Sequence, residues 1–151
     1  IAIQNALELS EWLSLEGDPI SFAHRLEQRR VLFQMARADR TMPNPASTAL
    51  IRAAGQQANT WMYRHDLARA KAPDLPLDPH PFLVFFISLD GASVQLPGIQ
   101  GLAITSDAQN QVAGFFASDG TAIADPNFLS RALLGIPVFE KPAALPQDLG
   151  F

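Results

Sequence analysis

The chain has 151 residues, 48% of them apolar and 17% charged, with a formal net charge of -4 and no cysteine. That length and apolar content suffice for one domain with a buried core and exclude bulk disorder, while the acidic balance argues against a nucleic-acid binder, whose phosphate contacts need a positive field. Disulfides, thiolate nucleophiles and cysteine-ligated zinc are excluded outright, and no apolar run approaches the roughly 18 residues needed to span a bilayer.

From Ala2 to Leu15 the apolar residues Ile3, Leu7, Leu9, Trp12, Leu13 and Leu15 fall mostly at helical spacing, and Gly17 supplies a stop. Asp18-Pro19 then reads as an N-cap followed by proline at the first helical position, opening a second helix to about Ala38. Its apolar face carries Phe22, Leu26, Phe33 and Ala36. Asn44-Pro45 repeats the signal, and a third helix is expected over Ala46 to Lys71, with Leu50, Ala54, Ala58, Trp61, His65 and Ala68 on one stripe. Gly55 lies inside that helix at a cost of about 1 kcal/mol relative to alanine. The prolines at 73, 76, 79 and 81 mark residues 72–81 as a stiff connector between a helical half, 1–71, and a strand-rich half, 82–140.

Phe82 to Ile87 is continuously apolar, carries three phenylalanines and runs to the turn dipeptide Asp90-Gly91. It reads as the central strand of the fold, over residues 82–89. Further strands are expected at Gly101–Thr105 and Gln111–Ala117, joined by the polar 106–110 as a hairpin loop, and at Thr121–Ala124. Asp125-Pro126 opens a late helix to about Leu134, with Gly135 at its C′ position, and Ile136–Phe139 makes an edge strand. The tail, 141–151, is expected to be irregular. The predicted architecture is a single α+β domain of about three N-terminal helices on a small, mainly antiparallel sheet, closed by a late helix and edge strand.

Candidate chemistry is sparse. The three histidines, 24, 65 and 80, show no His-x-x-x-His or His-Glu-x-x-His spacing, and no nucleophile elbow or glycine-rich phosphate loop is present. No catalytic residue, cofactor site or metal site is therefore assigned; whether the chain is an enzyme is left open, with a non-enzyme favoured. The arginines at 25, 29, 30 and 37 form a basic cluster that suits an interaction face for an acidic partner. Phe85, Phe115 and Phe116, with His65, are the residues expected to line an apolar pocket if helices close over the sheet. Arginine-rich, lysine-poor composition with abundant alanine suits a bacterial source. The compartment is left open.

The segment from Asp125 to Phe139, a short helix followed by a strand with Pro137 near its start, resembles the cis-proline strand of thioredoxin-like domains. That resemblance implies a central strand at 82–89 and the role of a cysteine-free assembly factor, as in bacterial conjugative secretion machinery. The primary expectation is a protein–protein interaction or assembly module, an accessory or subunit of a larger complex, whose partner is another protein or a second copy. The alternatives are a small-molecule sensor, the thioredoxin-like assembly factor, and a hydrolase using histidine and a carboxylate.

Overall fold

A computed structural model describes residues 2–84 and 98–150 in full, and residues 88–90 and 93–95 by their backbone. In chain order the elements are α1 (Ala2–Ser14), a 3-10 segment (Pro19–Leu26), β1 (Phe33–Ala36), α2 (Asn44–Ala53), a 3-10 turn (Gln57–Asn59), β2 (Thr60–Tyr63) and α3 (His65–Lys71). A second 3-10 turn (Phe82–Val84), β3 (Ser88–Asp90), β4 (Ser93–Gln95), α4 (Ile99–Ala117), α5 (Phe128–Leu134) and β5 (Phe139–Glu140) follow. The chain is α+β, as its sequence leads one to expect.

The sheet is in a different place from the predicted one. β2 is its central strand, paired in parallel with β1 (Phe33 opposite Thr60, Ala36 opposite Tyr63) and antiparallel with β5 (Met62 opposite Glu140, Tyr63 opposite Phe139). All four β2 side chains are buried, and their alternation builds two cores. Trp61 and Tyr63 join Ala36, Phe82, Ile104, Val138 and Phe139 beneath α4 and α5. Met62 turns the other way, to Met35, Ile51 of α2 and Leu145 of the tail.

The expected helix over 46–71 is thus four elements: α2, a 3-10 turn, β2 and α3. α2 ends at Gly55, whose φ of 64° is left-handed; its N–H donates to Arg52 and that of Gln56 to Ile51, closing the helix in a Schellman motif. The glycine that looked like a weak spot in one helix is a terminator, and Thr60-Trp61-Met62-Tyr63 beyond it suits a strand. The expected helix to Ala38 also breaks: Asp18 does cap, accepting from the N–H of Ile20 at 2.9 Å, but the segment stops at Leu26 and β1 follows.

Phe82–Val84, expected to begin the central strand, is a 3-10 turn held by N–H groups of Phe82 and Val84 donating to the carbonyls of Pro79 and Pro81. Residues 85–87 lie outside the described residues. Ser88–Asp90 and Ser93–Gln95 do pair antiparallel across the Asp90-Gly91 signal. The strands expected at 101–105 and 111–117 are one helix of 19 residues, α4. Its buried residues Gly101, Ile104, Ala108 and Gln111 recur at helical spacing. The intervening polar residues do not form a loop. Thr105 donates to the Phe82 carbonyl, Gln109 to that of Leu83, and buried Asp107 accepts the N–H groups of Leu129 and Ser130 at 2.8 and 2.7 Å, capping α5. No strand forms at 121–124.

Gly135 ends α5 with φ 74°, as expected. All peptide bonds among the described residues are trans, so Pro137 lacks the geometry of the thioredoxin-like comparison, and the central strand lies elsewhere than that comparison implies. The irregular tail is structural. Pro142 and Leu145 are buried, and Gly150 packs beside Asn44, whose side chain accepts from Ala38 N–H and donates to the Ala36 carbonyl.

Candidate functional site

An apolar groove of about 420 Å³ is walled by the start of the first 3-10 segment, β1, α2 and the turn at 82–84. Ile20, Phe33, Met35, Leu50, Phe82 and Leu83 supply its apolar surface. Two loops meet at its edge. Asp39, only 7% exposed, accepts N–H groups from Thr41 (2.9 Å) and Met42 (2.7 Å), and its second oxygen lies 3.1 Å from His80 Nδ1. A carboxylate oxygen accepts in this contact, and the imidazole donates from Nδ1. Asp78 ties the same loops by accepting from the backbone of Arg40 and His80 and from the Thr41 hydroxyl. Desolvation opposes its ionisation, but those hydrogen bonds prevail and hold its carboxyl below the usual range.

An oriented imidazole of this kind can move a proton. Ser47 lines the same groove, yet among the described residues no hydrogen bond joins its hydroxyl to His80, and no group of three or more histidines and carboxylates is placed to hold a metal. The Asp39–His80 pair was not legible in the sequence. Its members are 41 residues apart, joined only because the 3-10 turn and the β1–α2 loop converge.

The residues expected to line one pocket are dispersed. Phe115 and Phe116 stack edge to face at 5.8 Å beside Leu32, Leu83 and Val112 in a separate depression of about 250 Å³. Phe116 is largely exposed. His65 is buried at the start of α3 with Nδ1 3.1 Å from the Tyr63 hydroxyl, and burial lowers its pKa to about 4. Phe85 lies outside the described residues.

The arginine cluster divides as well, because residues 19–38 are not one helix. Arg25 lies over the Phe22 ring at 5.1 Å and, with His24, Gln28 and Arg29, lines a shallow basic cleft. Arg30 is tied to Asp119 at 2.7 Å, and Arg37 faces Asp148 at 3.7 Å.

Helix α1 is the other prominent feature. Its Leu, Ala, Glu and Gln residues are strong helix formers, and Gln4 donates to Glu8 one turn on at 2.9 Å. Ile3, Ala6, Leu7, Leu9 and Leu13 share one side by helical spacing. None of its residues is buried: Ile3 is 79% and Trp12 67% exposed. No helix among the described residues is long and apolar enough to cross a membrane.

No family model, curated protein or solved structure matches the chain.

Proposed function

We propose that this chain is a protein–protein interaction module that docks through the apolar side of α1. One observation carries the reading: a 13-residue helix presents Ile3, Leu7, Leu9, Trp12 and Leu13 entirely to solvent. A helix this short gains little from propensity alone, and helices in folded proteins draw most of their stability from packing an apolar face. Four of these, Ile3, Leu7, Leu9 and Leu13, share one side of the helix, and such a side is what a partner's groove takes up in helix-in-groove recognition. The Leu7→Glu/Leu13→Glu double substitution places charge on that face while touching no core residue. Cross-linking and co-purification from the host are expected to recover a partner, another protein or a second copy, with the unaltered chain, and to lose it with the variant. A chain that stays monomeric and recovers nothing, or recovers the same proteins with and without the substitutions, sinks the reading.

The groove beside His80 favours a second reading, a small-molecule binding domain. A saturable rise in thermal midpoint with small apolar ligands, lost in His80→Ala, checks it.

A further inference from the structure

We infer that the groove between the first 3-10 segment, β1 and α2 receives helix α1 of a second copy of this chain, giving a dimer by reciprocal exchange. The inference rests on the interaction reading above and names the partner. Three observations point to a second copy.

The first is fit of kind. Among the described residues, one chain presents both an exposed amphipathic helix and an open apolar groove of about 420 Å³, lined by Ile20, Phe33, Met35, Leu50 and Phe82.

The second is the joint between them. Asp18, Pro19 and Ile20 are part of the groove's rim, and α1 ends only four residues earlier, at Ser14. The Gly17 N–H donates to the Ser14 carbonyl (2.9 Å), that of Asp18 to Leu15 (3.4 Å), and Asp18 caps Ile20. This bonded joint carries α1 away from its own groove and leaves both surfaces open, whereas a helix arriving from a second copy meets no such constraint. Exchange of an identical element between protomers is a low-cost route to a dimer.

The third is charge. Residues 2–18 contain Glu8, Glu11, Glu16 and Asp18 and no basic residue. The 3-10 segment that begins at the groove's rim continues into the cleft of His24, Arg25 and Arg29. A helix whose apolar side enters the groove of a second copy brings this acidic segment to the same end of the molecule as that basic cleft. The arrangement is isologous, with each chain giving a helix and receiving one.

Light scattering coupled to gel filtration, run over a range of concentrations, tests it. The unaltered chain is expected at twice its monomer mass. Leu7→Glu/Leu13→Glu in α1 and Leu50→Arg at the groove should each give monomers with unchanged circular dichroism. Mixing the two variants should restore a heterodimer, since one intact helix then meets one intact groove. Monomeric behaviour at all concentrations overturns the exchange. So does a dimer that the α1 substitutions abolish and Leu50→Arg leaves intact, which would mean that the helices pair with each other. If the chain is monomeric yet loses a different protein partner on substitution of α1, the exchange fails and the interaction reading stands. If the α1 substitutions change nothing, both fail.

Discussion

His65 shows how burial overrides the ordinary chemistry of a residue. With the ring 4% exposed and its Nδ1 against the Tyr63 hydroxyl, desolvation penalises the imidazolium and lowers its pKa to about 4. The unfolded chain, with histidine near 6.5, therefore takes up this proton first as the solution is acidified. The stability His65 confers is complete above about pH 6.5 and is lost as the pH falls toward 4, a total on the order of 3 kcal/mol. His65→Gln should accordingly lose less stability than the parent between pH 7.5 and 4.5, by about 2–3 kcal/mol in urea denaturation. Equal losses in the two proteins would assign the acid sensitivity to other groups. The sequence placed His65 on a stripe of small residues and so anticipated burial. It did not reveal the tyrosine beside it, because the two pair across the junction of a strand with a helix that the same stripe had smoothed into one helix.

Among the elements, glycines at helix ends carry the punctuation, and two of them differ in a measurable way. Gly135, with φ 74°, ends α5 in open space, where an added Cβ meets nothing within 4 Å. Gly120, with φ 71°, follows α4 where a Cβ would lie 2.7 Å from Arg30 Cβ and 3.1 Å from a Phe115 ring atom. Gly135→Ala is therefore expected to cost about 1 kcal/mol, the conformational term alone. Gly120→Ala adds an overpacking cost of about 1–3 kcal/mol and should displace Arg30 from Asp119. Thermal melts of the pair read the difference, and equal shifts would show that the Arg30 contact yields freely. The end of α5 was legible because its glycine follows a short periodic segment. Those of α2 and α4 were not. Gly55 was absorbed into a longer apparent stripe, and the polar residues of α4, which resemble a hairpin loop in sequence, are spent on carbonyls and on the N-terminus of α5.

At the scale of the whole molecule, the tail helps to complete the second core. Leu145 packs with Met35, Ile51 and Met62 behind the sheet, and Arg64 braces the tail's start by donating to both oxygens of Glu140 at 3.1 Å. Leu145→Ala should destabilise the fold by about 2–4 kcal/mol, as truncation in a packed core does, although no regular element contains it. A loss below about 1 kcal/mol, measured by chemical denaturation, would mean that the tail is not fastened there. Ile51→Ala, on the other side of the same cluster, provides the reference.

Composition and local pattern by themselves determined that this chain folds, that it mixes helices with a small sheet, and where α1, the Asp18 cap and the Gly135 stop fall. These are properties of consecutive residues: apolar fraction, a capping side chain, a left-handed turn, a period of 3.6. Only the tertiary structure decided which short segment became the central strand. Thr60–Tyr63 holds that place in the described sheet because it is paired on both sides, by β1 in parallel and β5 antiparallel, and pairing partners far apart in sequence leave no local trace. The same reason hides the Asp39–His80 pair and the groove beside it. Both arise where loops from distant parts of the chain converge, whereas the apolar side of α1 was written in the sequence, and the fold shows that no residue of that helix is buried.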